Sequence, residues 1–540
     1  MRPPYSRILF DLACEQSERY ADSPAVIAGG RQTSYRQLAD GARRIAAALR
    51  ARGIRRGDRV ALLAENRYEW IEAAFAASAV GAVVCPFSTW STRTELEFLL
   101  RDSQAKILFT SARFGDADYT ADLAALIPEA ASAGRWTSAR FPRLEMLVLL
   151  GSDAPSGWAS YDAFKAAQPL DEAGLPPGER AVPGDDAFIL YTSGSSSTPK
   201  AVRLSHHGVI ENGFNIGERQ GLTPKDRVLL APPLFWSYGG ANALPAALTH
   251  GAAIVLQPKF DAGEAIELVE RHRCTSIYTL PGMSTAIARH PGYAPARLSS
   301  LRTGLTIGTP KEFTDAVGWL GAQELCNIYG ATETFGNCCV TWHHWPLQRR
   351  AHSQGLPLPG VTIRIVDEDT GALLGPGQAG LVEVSGYLTS GYTGASAKLN
   401  AEAFTADGFY RIGDVGYLNE DGSFCYVGRR AEMIKKAGIN VSPAEVEEVL
   451  LRHPAVAQAA VVGAPDTEKG ELVVAFVVPA PTRSIDIGDL MHHCRALVSK
   501  YKVPDHIEIC AELPLTNTGK LQRRALKEAA RLSLRREARV

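Results

Sequence analysis

The chain has 540 residues, too many for one compact core, so the sequence predicts at least two domains. Its 57 basic and 58 acidic residues leave a net charge of −1, which gives no support for a nucleic-acid or acidic partner. The N-terminal residues lack an apolar core of signal-peptide length and no run reaches transmembrane length, so we expect a cytoplasmic protein without a membrane span.

Short apolar runs alternate with helical stretches in the first part of the chain. The runs lie at 59–64, 105–110, 146–151, 187–192 and 252–257, and helical periodicity is found at 36–51 and 263–272. This alternation predicts an α/β fold. Two stretches rich in Pro, Gly, Ala and Ser, at 113–145 and 152–185, are predicted to form loops or excursions at the surface.

The pattern changes near Arg430. An amphipathic helix is predicted at 444–454, strands at 456–464 and 471–480, and a further helix at 486–499. We therefore expect a large α/β domain over 1–430 and a smaller α+β domain over 431–540.

The segment YTSGSSSTPKAV at 191–202 follows an apolar strand. Its hydroxyls, its exposed N–H groups and Lys200 could surround a phosphate. No second glycine precedes Lys200, so the loop is not of the Walker type. Taken alone, such a cluster is more often a solvated turn.

Further motifs follow in order: YGATE at 329–333, YRIGD at 410–414, GRRAEMIKKAGINVSP at 428–443 and PLTNTGKLQRR at 514–524. With the 191–202 loop, this series resembles the adenylate-forming superfamily of acyl-CoA synthetases, adenylation domains and luciferases. The resemblance covers nearly the whole chain and is greatest to acid–CoA ligases. It implies a large N-terminal domain, a smaller mobile C-terminal domain, and ATP, Mg²⁺ and CoA as cofactors.

The resemblance also implies roles for individual residues. The loop from Thr192 to Lys200 would hold the β- and γ-phosphates, Thr332 would contact the α-phosphate, and Glu333 would bind magnesium. Tyr329 would stack on adenine opposite the backbone of 308–310, Asp414 and Arg429 would bind ribose, and Lys520 would bridge the carboxylate and α-phosphate. The nucleotide-binding residues implied are Thr192, Ser193, Gly194, Ser195, Ser196, Gly308, Thr309, Pro310, Tyr329, Gly330, Ala331, Asp414 and Arg429.

Each of these residues has a structural alternative on its own. Thr332 and Glu333 could cap a helix, Tyr329 could pack in a core, Asp414 could lie in a turn, and Lys520 could be a solvated lysine. A metal ligand at Glu333 is chemically reasonable, because a carboxylate suits a hard dication.

The resemblance also implies an acid pocket and a hinge. The pocket would be lined by Trp236, Ser237, Tyr238, Gly239 and Phe335. The small domain would rotate about Arg430 and Ala431, Gly438 would let the backbone approach pantetheine because it lacks a Cβ, and Lys435 with Lys436 would lie near CoA phosphates.

The sequence departs from the family at three places. Ser197 replaces a glycine of the phosphate loop, Ala431 occupies a hinge position that usually carries Asp or Lys, and Trp236 lies where many members have another aromatic residue or histidine.

These observations leave three functional hypotheses. The leading one is an AMP-forming acid–CoA ligase that acts on a small-molecule acid. The second is a stand-alone adenylating enzyme that passes its product to a carrier protein in trans or to another non-CoA acceptor, including one that activates an unusual acid such as nitrite. The third is a nucleotide-binding protein that has lost catalysis; Lys200, Glu333, Asp414, Arg429 and Lys520 argue against it.

Overall fold

The structure, a computed structural model, describes residues 2–132, 136–151, 153–166, 179–192, 199–436, 439–466, 469–498, 500–515 and 521–537. The helices are α1 (Leu9–Tyr20), α2 (Tyr35–Ala51), α3 (Tyr68–Ala79), α4 (Arg93–Ser103), α5 (Tyr119–Leu126), α6 (Tyr161–Ala166), α7 (His206–Gln220), α8 (Leu244–Thr249), α9 (Ala262–His272), α10 (Pro281–Arg289), α11 (Pro310–Leu320), α12 (Leu347–Ala351), α13 (Asn400–Ala403), α14 (Pro443–Leu451), α15 (Ile487–Leu497) and α16 (Arg523–Glu537).

The strands are β1 (Pro24–Ala28), β2 (Arg31–Ser34), β3 (Arg59–Leu63), β4 (Val83–Pro86), β5 (Ile107–Thr110), β6 (Arg113–Phe114), β7 (Ala117–Asp118), β8 (Met146–Leu149), β9 (Ala159–Ser160), β10 (Asp186–Thr192), β11 (Lys200–Ser205), β12 (Arg227–Leu230), β13 (Ala253–Leu256), β14 (Ser276–Tyr278), β15 (Thr303–Thr306), β16 (Glu324–Tyr329), β17 (Cys339–Val340), β18 (Leu356–Pro357), β19 (Thr362–Val366), β20 (Gly380–Ser385), β21 (Tyr392–Thr393), β22 (Tyr410–Leu418), β23 (Phe424–Arg429), β24 (Ile434–Lys436), β25 (Ile439–Val441), β26 (Val456–Asp466), β27 (Gly470–Pro479) and β28 (His506–Ile509).

Two mostly parallel sheets form the large unit. One has the strand order β18-β17-β16-β15-β14-β12-β13-β1-β2 and the other β21-β11-β10-β4-β3-β5-β8-β9. Their central strands are short, apolar and buried, as expected when helices cover both faces of a parallel sheet. The α/β prediction from the apolar runs is therefore confirmed.

The main core lies between these sheets. It contains Val26 and Ile254 from the first sheet, Val60 and Phe188 from the second, and the helix residue Trp70. Helix α3 is buried on nearly all sides because it lies in this core, which explains why its sequence is apolar throughout rather than amphipathic.

A third, antiparallel sheet has the order β19-β20-β22-β23, and it carries the YRIGD motif on β22. The chain then enters the smaller unit, in which β25-β24-β27-β26 form a sheet with β28 beside β27. Helices α14 and α15 and strands β26 and β27 lie where the sequence predicts them, so this α+β arrangement is confirmed as well.

The stretches 113–145 and 152–185, predicted to be loops or excursions at the surface, contain regular elements, so the loop reading was wrong in part. The first stretch contains α5 and the short hairpin β6–β7, and the second contains β9 and α6. Helix α5 forms because Asp118 caps it, accepting a hydrogen bond from Ala121 N at 2.9 Å, and because Leu123 and Leu126 are buried. Alanine in such a stretch favours helix, and counting it with Gly, Pro and Ser hid that signal.

Candidate active site

The candidate nucleotide residues gather where parallel strands end. Strand β10 ends at Thr192, β15 leads into Gly308, and β16 ends at Tyr329. The carboxyl edge of an open parallel sheet is the usual position of ligand sites in α/β proteins. The first sheet therefore brings 308–310 and the segment after Tyr329 to one edge, while β10 ends in the second sheet.

Residues 308–310 form the start of α11. Thr309 is the N-cap: its hydroxyl accepts from Glu312 N at 3.3 Å and donates to Glu312 Oε2 at 2.9 Å. Pro310 is the first helical residue, where a missing N–H is harmless. Because the Thr309 side chain is used in this cap, the backbone is the part of the segment that can face a ligand.

Tyr329 and Asp414 are in direct contact. The Tyr329 hydroxyl donates to Asp414 Oδ2 at 2.7 Å, and its ring centroid lies 4.3 Å from that of Phe424 and 5.8 Å from that of Tyr426. Tyr329 is only 7% exposed. One part of this tyrosine is therefore packed in the core of the third sheet, as its structural alternative proposes, while its hydroxyl orients the Asp414 carboxylate.

One oxygen of the Asp414 carboxylate is not used in a hydrogen bond with any described residue. Arg429 lies opposite it on β23, and Arg429 Nη1 is 3.0 Å from Asp414 Oδ1, without the angle of a hydrogen bond. Oδ1 is buried and accepts no hydrogen bond from any residue that the structure describes. Burial raises the pKa of the Asp414 carboxyl to about 6, outweighing Arg429 and Tyr329, which both lower it. Such an acceptor suits a hydroxyl-bearing ligand.

Glu333 lies in a tight 3₁₀ turn, Thr332–Thr334, directly after β16. The turn needs a glycine before it, since a Cβ on Gly330 would be 2.6 Å from Asn337 Cα. Ala331 N donates to Thr334 Oγ1 at 3.0 Å, and Thr332 Oγ1 lies 3.1 Å from Ser237 Oγ. Thr332 therefore connects the nucleotide motif to the segment that is expected to line the acid pocket.

Two tyrosines that the sequence analysis missed surround Glu333. The Tyr392 hydroxyl donates to Glu333 Oε1 at 2.8 Å, and the Tyr410 hydroxyl lies 3.2 Å from that of Tyr392. Lys200 Nζ lies 5.4 Å from the Tyr392 ring centroid. The structure thus places Lys200 and Glu333 on two sides of one aromatic side chain.

Four of the five expected acid-pocket residues lie on one π-helical segment, Ser237–Ala243, and the turn before it, whereas Phe335 follows the Thr332–Thr334 turn. Tyr238 donates its hydroxyl to Leu305 O at 2.9 Å, so its polar end is already satisfied. Gly239 packs against Pro233, whose carbonyl oxygen would be 2.2 Å from a Cβ there. Phe335 is buried at 1% exposure, with its ring against Gly208.

Trp236 belongs to an aromatic cluster that the sequence analysis did not identify. The Trp90 ring lies 5.1 Å from Trp236 and 5.2 Å from Phe235, with edge-on geometry in both pairs. Trp90 and Trp236 are half-buried, whereas Phe235 is buried. Rings arranged in this way support each other and form a rigid wall.

The junction of the two units differs from the nucleotide edge. Arg430 is exposed and pairs with Glu368 at 2.9 Å, Ala431 is exposed, and Lys435 is exposed. Lys436 is buried instead and pairs with Asp505 at 2.7 Å. The ammonium of Lys436 is thus already neutralised inside the small unit, which favours Lys435 over Lys436 as a neighbour of CoA phosphates, and the placement of both stays a prediction.

Arg523, at the start of α16, connects this junction to the small unit. It contacts Glu432 at 2.9 Å and Glu447 at 2.8 Å. Other predicted site residues lie outside the described residues: Ser193, Gly194, Ser195, Ser196, Gly438 and Lys520.

The molecule has two parallel sheets, a third sheet on which the buried Asp414 oxygen accepts no hydrogen bond from the described residues, and a separate α+β unit. These are the features of a nucleotide-binding enzyme of two units. Comparison with known families identifies it further. Residues 14–393 match the family described as AMP-binding enzyme, and residues 445–520 match the AMP-binding enzyme C-terminal domain. The chain belongs to this family of AMP-binding enzymes.

Curated relatives match over almost their full length. The chain is 31% identical to the "Putative acyl-CoA synthetase YngI" of Bacillus subtilis, covering 95% of both chains. It is 34% identical to the "Indoleacetate--CoA ligase" of Aromatoleum aromaticum, covering 91% of this chain and 92% of that one.

Solved structures with the same fold include ATP-bound MatB from Rhodopseudomonas palustris. That structure has a TM-score of 0.84 and 27% identity and covers 97% of this chain and 99% of its own. The anthranilate CoA ligase AuaEII in complex with anthranoyl-AMP also has a TM-score of 0.84, with 26% identity and 98% coverage of both chains. Among the described residues of this chain, no helix is both long and apolar enough to cross a membrane.

Proposed function

We propose that this chain is an ATP-dependent, AMP-forming acid–CoA ligase. A carboxylic acid attacks the α-phosphorus of ATP and releases pyrophosphate, and the thiol of CoA then attacks the acyl-adenylate to give a thioester and AMP. The proposal rests on the way in which Lys200, Glu333 and Asp414 come together at one edge of the fold. One oxygen of the Asp414 carboxylate is buried there and accepts no hydrogen bond from the described residues.

The chemistry of the site fits ATP with magnesium. The Asp414 carboxylate would accept from the ribose hydroxyls, with Arg429 beside it and Tyr329 fixing its orientation. Lys200 would neutralise phosphate charge, and Thr332 would donate to the α-phosphate. Glu333 would hold the Mg²⁺, which when bound neutralises the charge that builds up on the phosphates during transfer.

We assign the two half-reactions to two positions of the small unit. Lys520 would serve adenylate formation, after which rotation about Arg430 and Ala431 would replace it with the face that carries Gly438 and Lys435. The boundary between 1–430 and 431–540 agrees with the change from the third sheet to the small sheet after β23. Exposed residues at the junction, connected by a surface ion pair of small stabilising effect, support such a rotation.

The aromatic cluster supports a compact acid. The acid pocket would be narrowed, just before the π-helical segment, by the rings of Trp90, Phe235 and Trp236. Bulky rings arranged edge to face would shorten such a pocket and so favour an aromatic or medium-sized acid. Relatives named for indoleacetate and for medium-chain acyl groups agree with this range.

The test is pyrophosphate release from ATP with a panel of aromatic and medium-chain acids, measured with and without CoA. We expect acid-dependent release in both cases and AMP with thioester only when CoA is present. Acid-dependent release that never leads to a thioester would favour a carrier protein or another non-CoA acceptor. No release with any acid, despite tight ATP binding, would favour loss of catalysis.

A further inference from the structure

Tyr392 touches both groups that we assign to the phosphates of ATP. Its hydroxyl donates to Glu333 Oε1 at 2.8 Å, and its ring lies under the Lys200 ammonium, 5.4 Å from centroid to Nζ. The contact with Glu333 fixes the direction of its carboxylate. The contact with Lys200 is of the cation–π type, in which the face of an aromatic ring attracts a positive charge.

The position of Tyr392 is fixed by its backbone. Strand β21 pairs with β11, placing Tyr392 opposite Val202 and Thr393 opposite Ala201. Asn400 binds both backbone groups of Tyr392, accepting from its N at 2.7 Å and donating to its O at 3.0 Å. The side chain is 3% exposed. Tyr392 is therefore a rigid element beside the strand that begins with Lys200.

Tyr410 extends the contact to the strand that carries Asp414. Its hydroxyl lies 3.2 Å from the Tyr392 hydroxyl, and it starts β22, on which Asp414 also lies. A tyrosine hydroxyl carries its proton at neutral pH, so both phenols can donate a hydrogen bond. The two hydroxyls and the carboxylate form a buried polar cluster with more than one internal contact.

We propose that Tyr392 is a positioning residue that orients Glu333 toward magnesium and Lys200 toward the phosphates, with Tyr410 as its partner. The proposal rests on the proposed function, because it takes Glu333 as the metal ligand. Groups that hydrogen-bond to a metal-binding carboxylate orient it and tune its basicity, and their loss typically lowers metal affinity or activity by ~10–100-fold. Neither tyrosine would touch substrate.

The test separates the hydroxyl from the ring. Binding of Mn²⁺ in the presence of α,β-methylene ATP is followed by electron paramagnetic resonance, beside the steady-state KM for ATP. We expect Tyr392→Phe to weaken Mn²⁺ binding about tenfold while changing the KM for ATP little, since the ring under Lys200 remains. We expect Tyr392→Leu to weaken Mn²⁺ binding equally and also to raise that KM.

The chain offers a matched control in Tyr68. Its hydroxyl donates to the buried Glu72 carboxylate at 2.6 Å, in the main core, so Tyr68→Phe removes the same type of hydrogen bond elsewhere. We expect this variant to lose stability without any change in Mn²⁺ affinity. If Tyr392→Phe binds Mn²⁺ as tightly as Tyr68→Phe does, the positioning role is refuted.

Glu333→Gln distinguishes this proposal from the one it depends on. If Glu333→Gln weakens Mn²⁺ binding and Tyr392→Phe does not, the positioning role fails and the metal assignment stands. If Glu333→Gln has no effect, the metal assignment fails, and the positioning role with it. Should Tyr392→Phe not fold, Tyr410→Phe decides: weaker Mn²⁺ binding supports the proposal, and unchanged binding overturns it.

Discussion

The nucleotide edge and the junction with the small unit are built in opposite ways. At the nucleotide edge, Tyr329, Glu333 and Asp414 are buried, and each has a hydrogen-bonded neighbour on another strand or turn. At the junction, Arg430 and Ala431 are exposed and Arg430 is held by one surface ion pair. Exposed pairs of this type contribute only ~0–1 kcal/mol. Groups that need a fixed direction are thus held firmly, and the connection expected to turn is held weakly.

The strongest test of this contrast is the lysine expected to belong to only one position of the small unit. Lys520→Ala should reduce adenylate formation by roughly 100-fold or more, the size of effect seen when a preorganised donor is lost. Thioester formation from supplied acyl-adenylate should be nearly unchanged. Single-turnover measurements of the two half-reactions check this, and an equal loss in both would contradict a role confined to the first.

Asp414 tests the rigid side of the comparison by pH. Its carboxyl has a pKa of about 6, and the ionised form is the better acceptor for two ribose hydroxyls, because protonation turns one carboxylate oxygen into a donor. ATP affinity should therefore be full above pH 7 and fall as pH drops through 6, by about tenfold at pH 5. The KM for ATP across pH 5–8 measures it. Asp414→Asn should bind ATP weakly at every pH, without this slope.

The contribution of Asp414 to the stability of the fold should depend on pH in the opposite direction to its effect on ATP affinity, and should decrease as pH rises. Because burial raises the folded-state pKa of Asp414 above the ordinary 3.8, its contribution to stability is full below pH 3.8 and is lost as pH rises through 6. Asp414→Asn should therefore raise the free energy of unfolding at pH 8 by up to ~3 kcal/mol, from two pKa units at 1.36 kcal/mol each. Urea unfolding at pH 8 and pH 4 checks the sign; a gain that persists at pH 4 would show that ionisation is not the cause.

Trp236 tests whether the aromatic cluster is a pocket wall or only core. Trp236→Ala should shift preference toward bulkier acids, because one methylene is already worth ~1–3 kcal/mol in such discrimination and a whole ring is larger. A core ring would instead cost about 3–5 kcal/mol of stability on truncation. The acid panel and the thermal midpoint are measured together. A large drop in the midpoint with an unchanged ranking of acids would assign Trp236 to the core.

The smallest effect is expected at Ala431. Ala431→Asp should change the ratio of the two half-reaction rates, because a charge placed at the turning point alters which positions of the small unit are favoured. Its effect on stability should stay within about 0.5 kcal/mol, since the residue is exposed. Single-turnover kinetics give the ratio. An unchanged ratio would mean that the side chain at this position is passive.

The sequence predicts the strands and the order of the motifs well, because both are local signals. Short apolar runs between helical patterns locate the parallel strands, and each motif follows a strand or lies on one. The contact of Tyr392 with Glu333 has no local signal, since 59 residues separate the two and only the pairing of β21 with β11 brings them together. Lys435 and Lys436 show a local pattern: on a strand, neighbouring side chains point to opposite faces, and here one lysine is exposed and the other buried.

Arg523 determines where a rotation of the small unit can begin. Its guanidinium forms ion pairs with both Glu432 and Glu447, and Glu447 lies on α14 of the small unit. Glu432 therefore moves with the small unit unless its ion pair with Arg523 breaks, although the Glu432 side chain is 39% exposed. For the rotation proposed above, this ion pair favours a turning point on the N-terminal side of Glu432, at the backbone torsions of Arg430 and Ala431.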